Sequence, residues 1–138
     1  AKMAGYQVLI IDPRKSWATA ERFPGLDLIT EWPNEIMDNI GVDHRCAVVA
    51  LSHDAKIDDQ ALETALGSSA FYIGALGSRK THEKRKERLR NLGCDDALIS
   101  RVHAPIGIGL GGRSPEEISI SILAELTQIR NELSSVVR

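Results

Sequence analysis

The sequence predicts an α/β domain: a doubly wound, mostly parallel sheet with helices on both faces. Three observations point there. Continuous apolar runs of strand length recur at 6–11 (YQVLII), 45–51 (RCAVVAL) and 70–76 (AFYIGAL). Strands that are apolar throughout, rather than on alternate residues, are buried on both faces. Segments of helical period lie between these runs, so strands and helices alternate along the chain. The 138 residues are 43% hydrophobic and 26% charged, the size and composition of one globular domain with its own core.

Each element has a local reason. The run 6–11 is a strand stopped by Asp12-Pro13, and residues 14–22 suit a short helix closed by Pro24. A short strand is expected at 26–30. A helix follows at 33–40, opened by Pro33 and stopped by Gly41. After the strand at 45–51 comes a helix at 57–66, with Asp58 as N-cap and Ile57 and Leu62 as a hydrophobic staple. The strand at 70–76 leads into a basic helix at 79–92, ended by Gly93. A helical segment at 95–100 and a strand at 101–104 precede the last helix. That helix has the clearest start: Ser114 at the N-cap, Pro115 at N1 and Glu117 at N3 form a capping box. Ile118, Ile122, Leu126, Ile129 and Leu133 then recur at helical spacing over about twenty residues.

Composition excludes several functions. Aromatics are 4% of the chain, too few for a platform that stacks single-stranded nucleic acid. No apolar run approaches the ~20 residues of a membrane span. Asp12, Arg14 and Lys15 interrupt any signal-peptide layout. Cys46 and Cys94 make neither a CxxC pair nor a disulfide framework. The expectation is a cytoplasmic, reducing environment, with neither nucleic acid nor membrane as partner. Charge is informative once located. Arg79, Lys80, Lys84, Arg85, Lys86, Arg88 and Arg90, against Glu83 and Glu87, give residues 79–90 a net +5 within a chain of net −2. Such a window marks a local anion site or a solvated helix face with Glu83–Lys86 and Glu87–Arg90 pairs.

Open parallel sheets bind ligands in the crevice beyond the carboxyl ends of their strands. The residues leaving those ends are 12–14, 52–54, 74–79 and 105–112. Asp12 either accepts hydrogen bonds from a ribose or caps an Asp-Pro turn. Arg14 faces an anion or solvates the next helix. Ser52-His53-Asp54 is no catalytic triad, because adjacent residues leaving a strand point in alternate directions; His53 and Asp54 line the crevice separately. A metal cluster of His53, Asp54 and Asp58 is disfavoured, since Asp58 serves more simply as a cap. Gly74 to Arg79 (GALGSR) is a strand-to-helix turn with two glycines, which allow close backbone approach, before a helix N-terminus that attracts anions. It carries the strongest phosphate signal in the chain. Four glycines in 105–112 (PIGIGLGG) mark a functional or mobile loop. His44, His82 and His103 read as ordinary, and Cys46 as an inert buried thiol.

Together the stretches GYQVLIIDPR, RFPG, LSHDAKIDDQAL, FYIGALGSRKTHEKR and PIGIGLGGRSPEEISISILAE resemble the C-terminal domain of the XdhC/CoxI family, in order from Gly5 to Glu125. GALGSR, and PIG followed by SPEEI and SILAE, are the specific motifs. Members are accessory proteins for xanthine dehydrogenase and related molybdenum hydroxylases. The resemblance implies one Rossmann-like domain over 1–138. It also implies binding of the molybdenum cofactor (molybdopterin, a phosphorylated pterin dithiolene) for maturation and insertion. The implied partners are a xanthine dehydrogenase-like hydroxylase and a sulfur donor. The matching cofactor-binding positions are Asp12, Arg14, His53, Asp54, Gly74, Gly77, Ser78, Arg79, Pro105, Gly107 and Glu117. No catalytic residue or metal ligand is implied, and the expectation is an accessory protein rather than an enzyme.

The family domain usually opens with a strand and a GAGH-like glycine turn, and carries a further N-terminal domain. The chain begins after that turn, so the family's first, central strand is expected to be lacking. Its pyrophosphate-binding turn goes with it, which disfavours NAD(P) in the usual mode. Exposed strand edges are pairing hazards, so the expectation is either a fragment or a chain whose gap a partner fills, as a homo-oligomer or a dimer that exchanges a segment. The alternatives are an NAD(P)-binding oxidoreductase-like domain and a ligand-free interaction module whose basic helix docks on an acidic protein surface.

Overall fold

The computed structural model describes residues 1–136. A single 3-10 turn (Lys2–Ala4) precedes β1 (Leu9–Ile11) and β2 (Asp27–Ile29), which pair in parallel with Leu9 opposite Asp27 and Ile11 opposite Ile29. A second parallel sheet holds β3 (Ala47–Ala50), β4 (Tyr72–Ala75) and β5 (Val102–His103) in that order, with Gly74 opposite Val49 on one side and His103 on the other. The helices are α1 (Pro33–Ile40), α2 (Ala55–Leu66), α3 (Arg79–Asn91), α4 (Asp96–Ile99) and α5 (Pro115–Val136). Helical crossovers join β3 to β4 and β4 to β5, as parallel neighbours require. This is the α/β architecture of parallel strands and helices expected from the apolar runs, in keeping with the Rossmann-like fold that the resemblance implies.

Residue alternation along β4 builds both halves of the core. Ile73 and Ala75 face a cluster that includes Met37, Ala50, Leu62, Leu66, Leu89 and Val102. Tyr72, on the opposite face, joins Ile106, Ile122 and Leu126 under α5. Successive strand side chains point to opposite faces, so a strand covered on both must be apolar throughout, and all four residues of β4 are buried. Leu62, Leu66, Ile73 and Leu89 are shut from solvent. Each such burial stabilises by about 1.5–3 kcal/mol before ordering costs.

The sheet has a break. Among the described residues no ladder joins β1 to β3, although Ile11 packs on the same cluster as Ala50. Both strands come from continuous apolar runs, yet β1 and the first three residues of β3 are only half-buried.

Two local expectations are corrected. Residues 14–22 form turns rather than a helix. Trp17 and Ala18 N–H reach Arg14 O, and the chain then turns again on Thr19, whose carbonyl accepts from Arg22 and Phe23. The Thr19 hydroxyl accepts from Arg22 N–H at 3.3 Å, a local bond that competes with helix propagation. The helix at 57–66 starts earlier, at Ala55, and its N-cap is Asp54, which accepts from Lys56 N–H at 2.9 Å. Asp58 instead lies buried in the first turn.

Candidate functional site

At the carboxyl edge of β4 and β5 lies a cleft of about 230 Å³. Its walls are Leu76 and Gly77, the loop 105–112, and Glu117, Ile118 and Ser121 of α5. Gly77 leaves β4 with φ +135°, a conformation that favours glycine, and a Cβ there would crowd Thr81 at 3.1 Å. Ser78 caps α3: its hydroxyl accepts from Thr81 N–H at 3.1 Å. Arg79, the first helical residue, is exposed. Gly74 belongs inside the sheet rather than at the ligand edge. A Cβ on it would meet Ile106 Cδ1 at 2.5 Å and Tyr72 Cε1 at 2.8 Å, so packing accounts for this glycine.

The glycine loop is tied down from beneath. Glu125 Oε2 accepts from Tyr72 Oη at 2.5 Å and from Gly107 N–H at 2.8 Å. His103 Nδ1 stands 3.5 Å from Glu125 Oε1, and its ring stacks on Tyr72 with centroids 4.8 Å apart. Burial, reinforced by the bond to Glu125, pushes the Tyr72 phenol far above its ordinary range, so it remains a neutral donor. Gly107, at φ +90°, abuts Ser121, with which any Cβ would collide. Ser121 in turn donates its hydroxyl to Ile108 O at 2.7 Å and accepts Ile108 N–H on its carbonyl at 3.3 Å. Pro105 lines the cleft. Glu117 lines it too while completing the expected capping box: Ser114 Oγ accepts from Glu117 N–H, and Glu117 Oε2 accepts from Ser114 and Arg113 N–H. Those backbone bonds hold the Glu117 carboxyl below its usual range.

The other sequence-predicted residues gather at the ends of β1 and β3, outside this cleft. Asp12 is closed by Arg14, which donates from Nε to Oδ1 at 3.0 Å and from Nη2 to Oδ2 at 2.8 Å. These bonds hold the Asp12 carboxyl below the usual carboxylate range, partly offset by burial. Both oxygens that a ribose would need are therefore engaged. Two guanidiniums pack on the Trp17 ring, Arg14 at 5.0 Å and Arg22 at 4.4 Å from its centroid. His53 is exposed at φ +62°, uncommon for a non-glycine residue. Asp54 is committed to its capping bond. Ser52 donates to Asp58 Oδ1 through its hydroxyl at 2.6 Å and its N–H at 3.2 Å. The carboxylates of Asp54 and Asp58 act on Arg14 at longer range. Among the described residues, no three His, Cys, Asp or Glu side chains converge as a metal site.

The basic helix is not a uniformly solvated face. Lys86 pairs with Glu83 as expected, but Arg90 pairs with Asp96 rather than Glu87. Arg88 reaches across to buried Asp59, and Arg85 is itself buried. Spacing along the chain shows neither this nor the Tyr72–His103–Glu125 cluster, because the partners lie 29 and 53 residues apart. Cys94, unassigned in sequence, is buried, and burial pushes its thiol up; Cys46 is only half-buried. No helix among the described residues is long and apolar enough to cross a membrane.

Comparison with known proteins places these features in a family. The family model of the XdhC Rossmann domain matches residues 1–126. The chain is 29% identical over 133 residues to a Bacillus subtilis protein named as a probable xanthine dehydrogenase subunit, covering 96% of the chain and 38% of that relative. It is 35% identical over 89 residues to the molybdenum cofactor insertion chaperone PaoD of Escherichia coli, covering 64% of the chain and 28% of that relative. A crystal structure described as a xanthine dehydrogenase from Bacillus halodurans superposes with a TM-score of 0.78 at 27% identity, over 96% of this chain and 38% of that one. The chain thus spans less than two fifths of the length of each.

Proposed function

Since the chain belongs to the XdhC Rossmann-domain family, we propose that it is a cofactor-handling accessory domain. Its cargo is the molybdenum cofactor, received for maturation and insertion into a xanthine dehydrogenase-type molybdenum hydroxylase. Docking to that hydroxylase and to a sulfur donor belongs to the same reading, as does a homo-oligomer that covers the open strand edges. The name of the PaoD relative supports the cargo.

The observation that carries the reading is the cleft where the Leu76–Gly77 turn meets the glycine loop. Five glycines, Gly77, Gly107, Gly109, Gly111 and Gly112, bring bare backbone to its surface, while Leu76, Ile108, Leu110 and Ile118 give it apolar walls. A phosphorylated planar ring needs those two properties together: backbone approach for the anion and an apolar slot for the ring. At about 230 Å³ the cleft is smaller than a usual ligand pocket. It holds part of the cargo, and the remainder crosses the sheet edge toward Arg14 and His53. Gly77, Ser78, Arg79, Pro105 and Gly107 would hold it, with Glu117 fixing the start of α5. Bound there, the cargo brings its own metal and dithiolene chemistry; the chain supplies position and cover. NAD(P) is less well served, because Arg14 closes Asp12.

Native mass spectrometry of the chain with the pterin cofactor, and separately with NAD(P), tests this. Retention of the pterin and not of NAD(P), reduced several-fold by Arg79→Ala, is the expected result. Retention of NAD(P) alone, or of neither, would overturn it.

A further inference from the structure

Arg85 is 4% exposed, a cation in the interior. Its Nη2 donates to Leu76 O at 2.9 Å. Its Nε and Nη1 are buried with no hydrogen-bond partner. The carboxylates that act on it are Asp58 and Asp59, and each is engaged elsewhere. Asp59 is bound by Arg88 through both oxygens, at 2.5 and 3.2 Å. Asp58 takes both Ser52 bonds on Oδ1, and its charge reaches Arg85 without a hydrogen bond. Arginine stays protonated in proteins, and a buried cation whose donors are only partly matched is costly. Buried donors left over in a folded chain call for an acceptor from outside it.

The guanidinium lies beneath the turn that opens α3. Nη2, which carries a second N–H beyond the one given to Leu76 O, is 3.7 Å from the point a Cβ on Gly77 would occupy, so glycine puts no side chain between the guanidinium and the turn. The same turn starts a thirteen-residue helix, whose opening N–H groups and dipole favour an anion. Of the opening amides Ser78 Oγ accepts from that of Thr81, and it also bonds the Thr81 hydroxyl at 3.0 Å.

We propose that the turn 76–80 is a seat for a phosphate group, held by the opening amides of α3 and by the buried guanidinium of Arg85. The exposed cations Arg79 and Lys80 add attraction that salt screens, whereas a charge in low dielectric is screened far less. Arg85 is therefore the residue that reads the anion. The seat deepens the cofactor reading and rests on it only for the ligand's identity; the phosphate of the pterin and a free or nucleotide phosphate share the chemistry.

Amide and arginine side-chain NMR of the full chain, titrated with inorganic phosphate, adenosine monophosphate and adenosine, tests the seat. Saturable shifts at the amides of Gly77, Ser78, Arg79 and Lys80 and at Arg85 Nε–H are expected with both phosphates and not with adenosine. Arg85→Gln should weaken binding by roughly tenfold or more, and Arg85→Lys, which keeps charge but loses the fork, by less. The wild-type shift map needs no variant, so a misfolded Arg85→Gln does not remove the test. Shifts that are absent, or spread over surface cations without saturating, overturn the seat. Pterin retention without these shifts overturns the seat and leaves the cofactor reading standing. The shifts without pterin retention do the reverse.

Discussion

At the end of β1, Arg14 and Asp12 close on one another through two hydrogen bonds. At the end of β4, Arg85 sits buried with two nitrogens that bond nothing. Both ends lie where open α/β sheets bind ligands, and both present an arginine two or more residues past a strand. The difference lies in what remains for a ligand. A closed ion pair must be broken before it binds anything, whereas an unmatched cation gains on binding. On the proposed reading, the β4 end is the side of the edge that would read an anion, and the β1 end a boundary on which a ligand would lean.

Substitutions should separate the two ends. The largest effect belongs to Gly107→Ala at the β5 side of the cleft. The new Cβ collides with Ser121 on backbone already at positive φ. A loss of about 3 kcal/mol, or failure to fold, is expected in thermal or urea unfolding; a loss under about 1 kcal/mol would mean that the loop is not seated on α5. Next comes Glu125→Ala, which strips the shared acceptor from Tyr72 Oη and Gly107 N–H. It should cost about 2–3 kcal/mol and speed hydrogen exchange selectively at Gly107 and Ile108. Unchanged exchange there would show that the carboxylate does not hold the loop.

The smallest effect is expected at the β1 end, from Asp12→Asn. Hydrogen bonding to Arg14 lowers the folded carboxyl below its ordinary 3.8. The stability from this pair is therefore fully present above that value and lost as pH falls through the lower folded one. The variant should lose less than about 1 kcal/mol at neutral pH and flatten the acid limb below about pH 4, with phosphate binding unchanged. A large change in phosphate binding would erase the distinction between the ends.

Local signals were legible in the sequence. Ser114, Pro115 and Glu117 specify the start of α5, and the apolar runs specify β3 and β4, because caps and burial patterns are written within a few residues. Asp58 misled because Asp54 satisfies the same capping chemistry four residues earlier, and which of them caps depends on where β3 ends. The helix expected at 14–22 failed for a related reason: Thr19 and the Asp12–Arg14 pair offer the backbone local alternatives that periodicity does not register. Of the site, the glycine turn and loop were visible as composition. Arg85 was visible only as one charge among seven, and the joining of Tyr72, His103 and Glu125 only through the fold. Gly74 stood out as a motif residue for a reason that belongs to packing against Ile106.

The packing of Arg14 and Arg22 on the Trp17 ring has an optical consequence. The chain holds two tryptophans, and Trp17 is half exposed with a cation over it that also holds Asp12. Any ligand that draws Arg14 away from Asp12 also changes the electrostatic surroundings of that indole. Its emission is then a label-free reporter of the β1 end, and Trp32→Phe would leave Trp17 as the sole indole fluorophore.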